Sequence, residues 1–385
     1  MLEIALKGSK TYYAWILALL ALIGMGVLLY LWQLQYGLGI TGLSRDVSWG
    51  FYIANFTYLV GVAAGGVMVV LPYYLHDYKA YGRITILGEF LAIAALVVCM
   101  LLIFVDLGQP TRGLNVFLYP TPNSVLFWDA LVLNGYLFLN LIIGWNVMES
   151  ERNGVHYQKW LKPLIYLSIP FAVSIHTVTA FLYSGLPGRG FWLTAILAPR
   201  FLSSAFAAGP ALLILLCLFI RNTTKFDPGK EQIQTLGITV AYAICINVFF
   251  FLCEVFVVFY SQMPEHMDHF IYLFVGLKGY NSMVPWMWAS MALMTMGIIL
   301  TVNPATRKNE VTLAVACVVI IFGTWIDKAL GMIAGGFVPN PLHEVHEYVP
   351  TLPEIGITIG VYAIGALVLT VLYKMAVGVK EEIRA

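Results

Sequence analysis

The chain has 385 residues, of which 60% are hydrophobic and only 11% are Asp, Glu, Lys or Arg, whereas a soluble domain carries about 25% charged residues. Apolar surface in that excess needs lipid. A formal net charge of +1 argues against a nucleic-acid partner.

The first apolar run, from about Tyr13 to Trp32, is too long for the core of a signal peptide and reads as a spanning helix. A span needs roughly 20 apolar residues. Taken in chain order, the spans are expected at 13–32, 50–75, 84–105, 125–147, 161–182, 201–220, 234–260, 284–301, 311–331 and 355–377. Stretches rich in Gly, Pro, Asn and charge separate them. Backbone polar groups cannot stay unpaired in lipid, so the spans are helical. The expected fold is an all-α integral membrane protein of ten transmembrane helices in one domain, 1–385.

Orientation follows from the loops. Numbered alternately from the inside, the inner set holds fifteen Lys and Arg residues, from Lys7 to Arg384. The outer set holds five: Arg45, Arg112, Arg189, Arg200 and Lys278. The positive-inside rule then places both termini in the cytoplasm. Trp32, Trp49, Trp128, Trp160, Trp192 and Trp286 lie at span ends, as in an interfacial belt.

Ionisable groups within spans are costly and point to function. Of seven such groups, Glu89 alone falls in the inner half. Asp106, Asp129, His176, Glu254, Asp327 and Lys328 fall in the outer half. That grouping suggests a polar pocket opening outward, able to exchange protons. Competing readings are a helix-end cap for Asp106, an interfacial ion pair with Arg83 or Lys79 for Glu89, and snorkelling or pairing with neighbours for Asp327 and Lys328.

The five cysteines fall inside spans with no C-x-x-C pair, so no iron–sulfur cluster or zinc site is expected. His176 is the one histidine deep in a span, so no haem b is expected. His266 with His269, and His343 with His346, sit in outer loops and read as solvated or docking residues rather than metal ligands. The outer segments 107–124, 183–200, 262–283 and 332–354 are rich in Gly, Pro and aromatics. They suit a docking surface for an extramembrane partner.

Several segments together resemble a known family. They are SWGFYIANFTYLVGVAAGG in span 2, VDLGQPTRGLNVF after span 3, SIHTVTAFLYSGLPGRGFW at span 5, FFLCEVFVVFYS in span 7 and WIDKALGMIAGGFVPNPLHEVHEYVP at span 9. The ordered set resembles the NrfD/PsrC-like membrane subunits of polysulfide-reductase type. Within that family it is most similar to the ten-helix branch that serves the transmembrane Dsr complex of sulfate and sulfur metabolisers.

The resemblance implies two four-helix bundles plus flanking helices. It implies a subunit without its own redox centre, in a prokaryotic cytoplasmic membrane. It implies a menaquinone site near the outer face and a ferredoxin-like iron–sulfur subunit docked there. For the Dsr branch it further implies a haem b membrane subunit, a c-type cytochrome and a cytoplasmic iron–sulfur protein related to heterodisulfide reductase.

Quinone reduction needs hydrogen-bond donors to two carbonyls, a proton source and an apolar slot. His176, Glu254 and Asp129 can supply protons or hydrogen bonds. Trp49, Asn55 and Tyr58 lie where the family places part of its quinone site, with Asn55 able to donate and Trp49 to stack. Asp106 and Arg112 are the corner residues beside it, although the family's usual arginine after DLG is Gln109 here. The small run Ala63–Gly66 permits close helix approach. The alternative reading is a proton-coupled secondary transporter, which would place its binding residues near the midplane on helices broken in both halves.

Overall fold

In the computed structural model, residues 2–382 are described, apart from Asp77 and His156. Arg384, one of the inner-set cations, lies outside the described residues, as does the side chain of Lys79. The helices in order are α1 (Leu2–Leu6), α2 (Lys10–Tyr36), α3 (Phe51–Gly65), α4 (Val67–Leu75), α5 (Thr85–Asp106) and α6 (Asn115–Leu118). There follow α7 (Val125–Arg152), α8 (Leu161–Ser184), α9 (Leu197–Thr223), α10 (Lys230–Tyr260) and α11 (Pro264–Phe274). The last are α12 (Val284–Val302), α13 (Pro304–Lys308), α14 (Glu310–Trp325), α15 (Met332–Phe337) and α16 (Leu352–Glu382). A π-helical turn, Ile326–Gly331, joins α14 to α15.

Among the described residues, ten helical segments are long and apolar enough to cross a membrane. They pack as two four-helix bundles. The first is α3–α4, α5, α7 and α8; the second is α9, α10, α12 and α14–α15. Helices α2 and α16 pair with each other and lean on the first bundle through α5. Local chemistry sets several starts. Ser9 accepts from the Tyr12 amide at the head of α2, and Asn309 accepts from Val311 and Thr312 at the head of α14.

The bundles meet where α3 crosses α9. A Cβ on Gly65 would lie 2.6 Å from the Gly209 Cα, so the two backbones touch. The AAGG run therefore serves the contact between bundles. Gly65→Val is expected to destabilise the fold by about 1–3 kcal/mol, the usual cost of overpacking. Thermal unfolding in detergent would measure it, with Gly24→Val as the control, because a Cβ there meets nothing within 4 Å.

The two sets of loops gather at opposite ends. At one end Arg221 pairs with Glu310, Lys380 with Glu151 and Arg152 with Glu382. At the other, Lys278 donates to the His343 carbonyl and Asn340 to Asp46. The Lys/Arg-rich set is thus a single face of the molecule.

The structure corrects several of the expected spans, among them span 9, which runs on to Phe337. Span 6 begins at Leu197, so Arg200 is a buried helix residue and not part of an outer loop. Span 10 begins at Leu352 and takes in Glu354, which is fully buried. Span 2 is broken at Gly66 between α3 and α4.

Candidate functional site

The site is built from the first turn of α9 outward. Arg200 reaches two carboxylates at once, donating from Nη1 to Glu254 Oε2 at 2.9 Å and from Nη2 to Asp327 Oδ1 at 2.7 Å. Glu254 comes from α10. Asp327 comes from the π turn, a widened helical segment that recurs at functional sites. The next residue, Lys328, points to the other bundle. Its Nζ contacts His176 Nε2 on α8, Ser204 Oγ at 3.0 Å and the Phe201 carbonyl at 3.3 Å. All five ionisable side chains are buried.

Arg200 is thus paired with two carboxylates, while Lys328 beside it is held by an imidazole, a hydroxyl and a carbonyl. Pairing offsets the cost of burial, which would be large for any one alone. Gly61 lets α3 pass this point: a Cβ there would meet Lys328 Nζ at 3.0 Å and His176 Nε2 at 3.3 Å. A cavity of about 10 Å³, lined by Arg200, Ser204, Asn247, Asp327 and Lys328 among others, adjoins the cluster. That is close to the room one water needs. Asn247 Oδ1 is a buried acceptor there with no partner.

With Lys328 charged, its ammonium has only donors, which makes His176 Nε2 the acceptor and assigns the ring hydrogen to Nδ1. Nδ1 is buried and has no hydrogen-bond partner. The imidazole stacks on Phe201, ring centroids 5.0 Å apart. His176 is therefore oriented on one edge and unused on the other.

One turn along α8 from His176, Thr179 Oγ1 lies 2.6 Å from Asp129 Oδ1. Asp129 is buried on the α7 side, so it borders the cluster through α8 without joining it. Trp49 precedes α3 and belongs to an aromatic box. Its ring lies 5.3 Å from Tyr183, 5.7 Å from Trp192 and 6.0 Å from Phe337. Tyr183 also bonds Thr57 of α3.

The other expected ligands are engaged elsewhere. Asn55 Oδ1 accepts from Trp325 Nε1 at 3.0 Å and from the Tyr362 hydroxyl at 2.9 Å, while its amide donates to the Phe51 carbonyl. The Tyr58 hydroxyl donates to the Ile321 carbonyl. Asn55 thus ties α3 to α14 and α16, and Tyr58 ties it to α14. Asp106 ends α5 with Oδ1 buried and without a partner, so it does not act as a cap through that oxygen. Arg112 is exposed on the loop after α5 and apart from the cluster.

Sequence reading missed Arg200 and Glu354. Glu354 Oε1 accepts from the Tyr348 hydroxyl and the Phe51 amide, and Oε2 from the Gly42 amide. It holds the head of α3 to the outer segments. Both residues are charges at the edge of an apolar run, which was the signal available. The snorkelling reading of Lys328 is overturned, because its ammonium is directed inward. The docking reading of the outer loops is corrected in part. Phe191, Trp192, Phe337, Val338 and Val345 are buried, so much of 183–200 and 332–354 folds over the site. The segment 107–124 stays outside, with Leu114, Leu118 and Tyr119 mostly exposed.

His269 also packs inward, with Nδ1 3.0 Å from the Val338 carbonyl, and burial pushes its pKa below the ordinary histidine value. Among the described residues, no cluster of three or more His, Cys, Asp or Glu could hold a metal ion.

The chain is similar in sequence to known proteins. The profile of the NrfD polysulphide reductase family matches residues 39–339. A Halobacterium salinarum protein, named as a membrane component of a dimethyl sulfoxide reductase, is 26% identical, over 92% of this chain and 88% of its own length. The integral membrane subunit of a menaquinone reductase from Nitratidesulfovibrio vulgaris is 21% identical, over 94% and 91%. The integral membrane subunit of an Hdr-like menaquinol oxidoreductase from Archaeoglobus fulgidus is 25% identical, over 64% and 60%. A family match over most of the chain, on ten apolar helices, makes this protein a multi-pass membrane protein of the NrfD polysulphide reductase family.

Proposed function

We propose that the chain is the quinone-reactive membrane subunit of a respiratory oxidoreductase complex, with menaquinone or menaquinol meeting the protein beside His176. One observation carries this reading: the buried His176 Nδ1 has no hydrogen-bond partner, in a ring held on its other edge by Lys328; with Lys328 charged, Nδ1 carries the ring hydrogen and is a donor. A quinone carbonyl oxygen is an acceptor that such a donor fits. Two relatives named for menaquinone or menaquinol chemistry support the substrate class. The cavity beside the cluster has room for about one water, so a quinone ring approaches along the aromatic wall of Trp49, Trp192 and Phe201 and displaces side chains to enter.

In this reading the end of the molecule that bears the cluster faces outward, and the Lys/Arg-rich end with both termini faces the cytoplasm of a prokaryotic cell. A ferredoxin-like iron–sulfur subunit docks on the outer end, where the exposed apolar segment 107–124 offers a surface. The polysulphide reductase family and the resemblance to the Dsr branch support a role in dissimilatory sulfur or sulfate metabolism. The further partners of that branch would be a haem b membrane subunit, a c-type cytochrome and a heterodisulfide-reductase-like iron–sulfur protein.

Menaquinone, when bound, would supply two-electron, two-proton redox chemistry. This chain's residues would hold and orient it. His176 Nδ1–H donates to one carbonyl, Lys328 keeps the imidazole in that tautomer, and the Glu254–Arg200–Asp327 triad borders the water that exchanges protons. The secondary-transporter reading needs breaks in matching helices of the two bundles. The breaks at Gly66 and Ile326–Gly331 lie in the first helix of one bundle and the last of the other.

The test is quinone extraction and fluorescence quenching by a quinol analogue on the purified complex and on this subunit alone. Saturable binding that His176→Ala removes is the expected result. Absence of binding to the wild-type complex would sink the redox reading.

A further inference from the structure

At the Lys/Arg-rich end, opposite the Arg200 cluster, a cavity of about 160 Å³ opens between α4, α5 and α7, its walls including Tyr74, Thr85, Val147 and Glu151. One turn along α5 from Thr85, Glu89 is 2% exposed and its Oε2 has no hydrogen-bond partner. That oxygen lies 3.6 Å from where a Cβ on Gly144 would stand, one turn before Val147. The Phe90 ring, 2.8 Å from the same point, fills most of the gap left by the glycine, and the carboxyl lies beside it against α7, one turn from the lining residues Thr85 and Val147. Of the two cations expected to pair with it, Arg83 is exposed and the side chain of Lys79 lies outside the described residues; among the described residues Glu89 has no ion-pair partner.

The titratable groups around it are Glu151 and Tyr136 of α7, Tyr74 of α4, Tyr157 beyond α7 and Tyr373 of α16, whose hydroxyl donates to the Leu87 carbonyl. Glu151 is already engaged by Lys380 at 2.9 Å. An unpartnered carboxylate oxygen in an apolar interior is costly, and either a proton or a water from the cavity relieves it.

We propose that Glu89 is a proton-exchange site loaded through this cavity from the Lys/Arg-rich side, separate from the Arg200 cluster. A hydronium ion in the cavity gives its proton to Oε2 and leaves as water; the reverse step returns the proton, and no electron moves. From Phe90 to Val98, α5 carries no polar side chain. That helix offers no side-chain relay toward the far end, whereas the cavity gives the carboxyl a short approach from the Lys/Arg-rich side.

Infrared difference spectroscopy of the purified full-length protein tests this. Wild type is expected to show a protonated-carboxyl carbonyl band that shifts in heavy water and is missing from Glu89→Gln. The shift should slow severalfold in Ser150→Trp, where an indole on the cavity wall blocks water. Ser150 is a half-buried lining residue, and size-exclusion chromatography of each variant reports folding. A wild-type spectrum without that band at any pH in the stable range would overturn the proposal. So would a band that exchanges equally fast in folded Ser150→Trp.

Discussion

Arg200→Met is expected to cost about 3–5 kcal/mol and to strip the complex of this subunit, because it leaves Glu254 and Asp327 buried with no cation between them. Thermal unfolding and subunit recovery on affinity purification measure it. Arg200→Lys is expected to fail nearly as badly. The planar guanidinium bridges two carboxylates held by different helices, and an ammonium cannot span both with the same geometry. Partial rescue is expected when Arg200→Met is combined with Glu254→Gln and Asp327→Asn, since the unpaired charges then go together. Absence of any rescue would show that the arginine acts by packing on Phe251, over whose ring it lies at 5.1 Å.

The second large effect falls on turnover. His176→Ala is expected to lower quinone-linked electron transfer by about 10²–10⁴, the range for loss of a positioned proton-transfer group. The fold should survive, at a cost of about 1–3 kcal/mol for the Lys328 donor left without its acceptor. Glu254→Gln should slow turnover less and leave assembly intact, because Arg200 keeps Asp327. The contrast is diagnostic. If both variants lost assembly and activity together, the cluster would be a structural tie between bundles. Steady-state quinol oxidation by membranes normalised to subunit content distinguishes the cases.

The helices were legible because lipid imposes one simple rule, an apolar run of sufficient length, and ten such runs stand out. The grouping of His176, Glu254, Asp327 and Lys328 at one depth was legible from chain order, because each helix fixes the depth of its residues. What joins them was not. Arg200 looked like a loop cation because apolar windows stop at a charge, yet α9 begins at Leu197 and carries it inside. The π turn at Ile326–Gly331 leaves no pattern in hydropathy, and it is the turn that presents Asp327 to one partner and Lys328 to another.

Asn55 and Tyr58 show the opposite limit. Their depth suited a quinone site, but their azimuth on α3 directs them to Trp325, Tyr362 and Ile321. Depth follows from sequence; azimuth depends on which helices pack where. The outer loops teach the same lesson. Their Trp and Phe content suited a docking surface, but tertiary structure shows that Trp192 and Phe337 bury against Trp49 while Leu118 and Tyr119 remain exposed.

The most direct test is photolabelling of the intact complex with an azido-menaquinone analogue, followed by peptide mapping. Label on the peptides around His176 and Phe201, competed by unmodified menaquinone and lost in His176→Ala, is the predicted result. Competed label confined to the Lys/Arg-rich end, or to another subunit, would contradict a quinone site beside His176.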